Sequence, residues 1–343
     1  NGNASLKPYH GCGCDLVSRS RTLVGSGFTC GTVIGQWTDG AIFWAWQISR
    51  NIKLMMWGAV LMILQASYAT AMDIMPPRLK PALERGVVLQ RTLRTDTRQK
   101  YFLYVPQRGG NSAKIFVTVH GISRNAMEHA RKFSAFAEKS GVVMIAPYFP
   151  PEDFPDYQRL GRKGKRADIM LNEIVSEVSE LTGASARKLY LFGYSGGAQF
   201  VHRYMLAYPD RVAKAVLGAP GWYTFPNPAL KYPQGIRESR SLPQIQFDPS
   251  KFLNIPVCVL VGEKDNQRDA ELNQSPQIDI LQGRTRIERG QRWVDEMISQ
   301  ARTQGLSTIY AFHLLPNSPH SFSMSMRHGG MGGKTFDFLF SEE

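Results

Sequence analysis

Leu189-Tyr190-Leu191-Phe192-Gly193-Tyr194-Ser195-Gly196-Gly197-Ala198 is an apolar run that breaks on a Gly-x-Ser-x-Gly turn and resumes as a helical pattern. Leu189–Phe192 carries no charge, as a strand covered on both faces should. Ala198–Ala207 reads as a helix that stops at Tyr208-Pro209, because proline lacks the N–H that a continuing helix needs. A serine held on such a strand-to-helix turn presents its hydroxyl outward, and the flanking glycines remove side chains that would collide there. A serine hydroxyl is a weak nucleophile until a base takes its proton. Ser195 is therefore a candidate nucleophile, and it needs a base, an acid and oxyanion donors from elsewhere in the chain.

Strand-like and helix-like segments alternate from about residue 85. Val87–Leu93 and Tyr101–Val105 read as an antiparallel pair, and Lys114–His120 and Val142–Ala146 as buried strands. Residues 125–139 and Asp168–Leu181 have apolar positions at helical spacing. Ala213–Leu217, Val257–Val261 and Thr308–Leu314 are further strands, with a helix over 289–304. This alternation predicts an α/β fold: a mostly parallel sheet with helices on both faces. Residues 223–255 hold five prolines and little periodicity, so a lid or a disordered insert is expected there.

A serine mechanism needs two backbone N–H donors for the oxyanion. Gly196, directly after the serine, supplies one candidate. His120-Gly121-Ile122, at the end of the strand 114–119, supplies the other at the Ile122 amide. His120 itself is a candidate substrate contact or a packed support for that loop. The base must be a histidine late in the chain. His320 lies in the loop Pro316–Ser321, His313 within a strand and His328 in a glycine-rich stretch; His320 fits best. The acid belongs after the strand Val257–Val261. Asp265 fits best, with Asp269 and Glu263 close by. Trp222, Tyr223 and Phe225 follow the strand 213–217 and are candidates for stacking on an acyl group, or for packing.

Four segments carry a resemblance: VTVHGISRNA at 117–126, LYLFGYSGGAQFVHRYMLAYPDRV at 189–212, VLVGEKD at 259–265 and PNSPHSF at 316–322. Together they resemble the α/β-hydrolase superfamily, and within it the poly(3-hydroxybutyrate) depolymerase-like and feruloyl- or acetyl-xylan-esterase-like branch. The resemblance spans roughly residues 85–340. It implies the α/β-hydrolase fold, a cofactor-free hydrolase, and Ser195, Asp265 and His320 in the triad positions. The substrate it implies is a small-molecule or oligomeric ester. A serine peptidase and a non-catalytic binding protein on the same fold are the alternatives.

The 343 residues carry a formal net charge of +13, with 43% hydrophobic and 20% charged residues. The composition is that of a globular chain able to bury one large core. Lys and Arg are scattered, apart from 162–166 and the series Arg284, Arg286, Arg289 and Arg292; no zinc-finger or RNA-binding motif accompanies them, so nucleic acid is not an expected partner. His10, Cys12 and Cys14 match no common zinc spacing, so no metal is expected. Cys258 sits in an apolar run and reads as a core thiol.

Residues 54–64 are apolar, Arg50 and Lys53 precede them, and Ala69-Thr70-Ala71 follows. That pattern describes a signal peptide over 54–71, hence a secreted or periplasmic protein. A retained membrane anchor is the alternative. Residues 1–53 show no sustained period and are expected to be an upstream or disordered segment. The catalytic domain is then 72–343.

Overall fold

The computed structural model describes Met56 and residues 83–109, 112–162, 164–238, 242 and 244–341. The chain divides into two units at Arg78/Leu79, and the described residues other than Met56 belong to the second. Apart from Met56, the expected upstream segment and signal peptide lie outside the described residues. Among the described residues no helix is long and apolar enough to cross a membrane.

β1 (Val88–Thr92) and β2 (Lys100–Tyr104) open the second unit as an antiparallel pair. β3 (Lys114–Val119), helix α1 (Ala126–Ser140) and β4 (Val143–Pro147) follow. A two-residue ribbon, Gly161–Arg162 with Lys165–Arg166, leads into α2 (Ala167–Thr182). Next come β5 (Ser185–Tyr194), α3 (Gly196–Ala207), β6 (Val212–Gly218), α4 (Pro249–Phe252) and β7 (Val257–Gly262). α5 (Pro276–Gln282), α6 (Arg286–Thr303), β8 (Tyr310–Leu315), α7 (Phe322–Arg327) and α8 (Met331–Phe340) complete it.

The eight strands form one sheet in the order β1-β2-β4-β3-β5-β6-β7-β8. β2 runs antiparallel to both neighbours, and every pairing from β4 to β8 is parallel. The central strands read as continuous apolar runs because both faces are covered. Ile115, Val117 and Val119 of β3 join one core with Leu171, Ile174 and Val175 of α2, Val201 and Tyr204 of α3, and Trp293 and Met297 of α6. Phe116 faces the other core, with Phe133 of α1, Phe322 of α7 and Phe336 of α8. Helices therefore sandwich the sheet, as the alternating pattern predicts. Cys258 is buried on β7, where desolvation pushes its thiol up to about 12.

Two boundaries differ from the sequence reading by three residues or more. β5 begins at Ser185 rather than Leu189, because Ser185 pairs with Lys114 across a register shift; the polar Ser185, Arg187 and Lys188 hide that extension. α6 begins at Arg286 rather than 289, where the Thr285 hydroxyl caps the helix by accepting from the Glu288 N–H at 3.2 Å.

The segment 223–255 is a third difference. Tyr223, Tyr232, Ile236, Leu242, Ile245, Phe252, Leu253 and Ile255 are buried in the same core as α2, α3 and α6. Its polar groups are tied down as well: Arg203 Nε donates to Thr224 Oγ1, Trp293 Nε1 to the Thr224 carbonyl, and Tyr232 Oη to the Arg159 carbonyl. Prolines remove the donors that regular structure needs, yet the apolar side chains still pack. None of its described residues lines the cleft over Ser195; the described part packs as an irregular extension of the core.

Candidate active site

Ser195 stands at the junction of β5 and α3 with φ 52° and ψ −114°. Its N–H donates to the Gly218 carbonyl of β6 at 2.7 Å, which fixes the strained turn to the sheet. A Cβ on Gly193 would lie 2.2 Å from the Gly197 carbonyl oxygen, and one on Gly197 would lie 2.0 Å from that of Val119. No side chain fits at either position. The glycines allow β3, β5 and α3 to converge on one point, and Ser195 is what that point presents.

Two loops at the carboxyl ends of β7 and β8 bring polar side chains to it. His320 Nε2 lies 3.1 Å from Ser195 Oγ, and His320 Nδ1 lies 2.6 Å from Asp265 Oδ2. Asp265 is 2% exposed, so its carboxylate must be held by fixed partners. The loops also brace each other. Lys264 N donates to the Ser318 carbonyl at 3.0 Å, and Asn317 N to Glu263 Oε2 at 3.2 Å. Glu263 thus serves as a strut between loops. His313 is exposed on the edge strand β8, and His328 is exposed beyond α7.

Gly121 and Ile122 of the loop after β3 line the same cleft as Ser195, and Gly196 follows the serine directly. A Cβ on Gly121 would stand 3.5 Å from Ser195 Cβ, and one on Gly196 would stand 3.0 Å from Ile122 Cγ2. Gly196 is the first residue of α3, so its N–H has no partner within the helix. Tyr157 closes this side, its hydroxyl donating to the His120 carbonyl at 3.0 Å.

His120 does not reach the cleft. It is fully buried, Nδ1 donates to the Gly121 carbonyl at 2.8 Å, and Nε2 accepts from Phe149 N at 3.1 Å. Desolvation lowers this imidazole to about 4, so it is a neutral support for the Ile122 loop, not a substrate contact. Tyr223 is likewise fully buried, stacked on Trp293 with centroids 5.1 Å apart. Trp222 is buried against the Arg203 guanidinium, 4.4 Å from its ring centroid. Neither lines the cleft: Tyr223 packs into the core, and Trp222 lies against the arginine.

Sequence reading missed Arg286. Its Nη1 donates to Asp265 Oδ1 at 3.1 Å and to Asp269 Oδ2 at 2.6 Å, and Nη2 donates to Asp269 Oδ1 at 3.0 Å. The hydrogen bond from Arg286 holds the Asp269 carboxyl below its usual range. Asp269, the alternative acid, pairs with arginine where Asp265 pairs with histidine. Arg289 is also buried, bound to the Gly283, Gly221 and Asn273 carbonyls and to Asp279. Two members of the apparent basic series are therefore internal clamps. The sequence shows the acidic run Asp265, Asp269, Glu271 and, further on, two arginines three residues apart on one helix face, but no spacing between them that pairs the two.

Ser195 and His320 open onto a cleft of about 500 Å³. Ile122, Ser123, Tyr194 and Phe322 line it, together with two carboxylates, Glu128 and Glu271. Among the described residues no group of three or more His, Cys, Asp or Glu is arranged to hold a metal ion.

A parallel sheet of this strand order, with a serine on the turn after β5 and acid and histidine loops after β7 and β8, is the α/β-hydrolase fold. Poly(aspartic acid) hydrolase-1 from Sphingomonas sp. KT-1 shares it with a TM-score of 0.63 and 23% identity, over 76% of this chain and 100% of that one. A poly(3-hydroxybutyrate) depolymerase from Bordetella parapertussis shares it with a TM-score of 0.60 and 20% identity, over 75% of this chain and 92% of that one. No protein-family model matches the chain, and no curated protein does.

Proposed function

We propose that the protein is a serine hydrolase that cleaves carboxylic esters through an acyl-enzyme. One observation carries the reading: a single imidazole lies 3.1 Å from Ser195 Oγ on one side and 2.6 Å from the Asp265 carboxylate on the other. In this reading Ser195 Oγ attacks the ester carbonyl carbon while His320 Nε2 takes its proton. The amides of Ile122 and Gly196 hold the oxyanion. The imidazolium then gives the proton to the leaving alkoxide, and the acyl group stays on Ser195. His320 next activates a water, which attacks the acyl carbon and frees the acid.

The substrate in this reading is a small or oligomeric ester. The carboxylates of Glu128 and Glu271 in the cleft oppose an anionic acyl group. Neutral short-chain p-nitrophenyl esters are expected to turn over faster than a p-nitrophenyl hemisuccinate of similar length. Aminoacyl amides assayed beside these esters separate esterase from peptidase. Ser195→Ala is expected to lower kcat by a factor on the order of 10⁶ and to abolish labelling by a fluorophosphonate, with the fold intact by circular dichroism. Undiminished turnover in that variant would overturn the reading. The proposal of export through 54–71 is tested by sequencing the mature N-terminus.

A further inference from the structure

Arg286 occupies the first position of α6, where the helix dipole disfavours a cation. It is nevertheless 1% exposed and joins two carboxylates. Asp265 divides its oxygens: Oδ2 receives His320 Nδ1 and Oδ1 receives Arg286 Nη1. An arginine alone at this place would cancel the negative charge that His320 depends on when it becomes an imidazolium. Asp269 restores it. The set Asp265, Arg286 and Asp269 carries one net negative charge, and both ends of the guanidinium fork are fixed.

We propose that Arg286 and Asp269 are positioning residues for catalysis: they lock the rotation of the Asp265 carboxylate and, by their balanced charge, set how strongly it stabilises protonated His320. The proposal rests on the reading of Ser195, His320 and Asp265 as the reacting set. Other groups face the same network. The Tyr194 ring of β5 stacks on His320 at 5.5 Å, and Glu271 acts on Tyr194 electrostatically. Tyr223 and Arg289 lie behind Asp265 and Arg286, with Arg289 bound to Asp279, which also binds Arg268. Glu128 stands in the cleft. Substitutions confined to Arg286 and Asp269 leave all of these in place, so a change in pH dependence reports the pair itself.

The test is the rate of fluorophosphonate labelling at Ser195 and kcat/KM for a p-nitrophenyl ester, each measured against pH. Asp269→Asn keeps shape and an acceptor oxygen but removes one negative charge. Protonated His320 is then less stabilised, and the acid limb of both profiles moves to lower pH by roughly half to one unit. Arg286→Met removes the positive charge, and the limb moves to higher pH. Arg286→Lys keeps the charge without the fork; its limb stays near the wild-type position while kcat falls several-fold, and it serves where Arg286→Met does not fold. Limbs that stay put in Asp269→Asn, or that move the same way in Asp269→Asn and Arg286→Met, overturn the proposal while leaving the triad reading intact. Absence of labelling in the wild-type protein overturns the triad reading, and the positioning role falls with it.

Discussion

At the scale of single residues, the site is a problem of steric convergence solved by glycine and of buried charge solved by pairing. The first half was legible in the sequence. A strand that must turn into a helix with a serine at the apex requires small flanking residues, and that requirement is local. Gly197→Ala tests it: the new methyl would sit 2.0 Å from the Val119 carbonyl oxygen, and backbone cannot yield as a flexible side chain can. The expected result is a protein that loses both Ser195 labelling and several kcal/mol of stability, roughly 3 or more, read as a lower urea midpoint. A Gly197→Ala protein with wild-type midpoint and labelling would show that the turn is looser than described. The second half was not legible, because Arg286 finds Asp265 21 residues away in sequence. Charge patterning reports neighbours along a helix, and this pairing is made between a helix terminus and a strand-end loop.

At the scale of elements, the strands were easier to read than the segments between them. β4 and β7 are apolar throughout, and β3 is apolar but for Lys114 and Thr118, because helices cover both faces, so that they are strands was legible from composition. Residues 223–255 lack that regularity. Their prolines were visible, but the burial of Tyr232, Ile245 and Phe252 depends on a partner surface built by α3 and the chain around Arg159. The aromatic layer between α1, α7 and the sheet is the element-scale counterpart of the site. Phe133 of α1 is fully buried, with ring centroids 4.9 Å from Phe192, 5.2 Å from Phe116 and 6.1 Å from Phe322. Phe322 in turn packs 5.6 Å from Tyr194 and follows the His320 loop. Phe133→Ala is expected to cost about 3–5 kcal/mol by leaving a cavity. It should lower kcat less than tenfold, because the loops of Asp265 and His320 remain braced to each other. Equilibrium denaturation and ester turnover on the same sample separate the two effects. A turnover loss beyond a hundredfold in a folded variant would place Phe133 in control of the His320 loop.

At the scale of the whole molecule, the formal charge of +13 says little about the interior, where three histidines are held neutral. His120, His129 and His202 are fully buried. Hydrogen bonds enforce the neutral form in two of them: His120 donates through Nδ1 and accepts at Nε2, and His202 donates to the Ala198 carbonyl while accepting from Thr224 N. Desolvation lowers His120 to about 4 and His129 and His202 well below the ordinary 6.5. The unfolded chain therefore binds more protons than the folded one once the pH drops below 6.5. Each of these histidines contributes stability that is full above that value and is lost as the pH falls toward its folded pKa, at about 1.4 kcal/mol per pH unit. For His120 alone the loss between 6.5 and 4 is about 3 kcal/mol, a large fraction of a typical domain's stability. Asp269 acts in a separate window: its lowered carboxyl contributes stability above the ordinary 3.8 that is lost only below it. The unfolding midpoint in urea should thus fall between pH 6.5 and 4, with proton uptake on unfolding that grows as the pH drops through that window. His202→Gln should flatten that slope by about one proton. A midpoint that holds constant from pH 7 to 4.5 would mean that these imidazoles gain charge in the folded state, and their assigned partners would have to be redrawn.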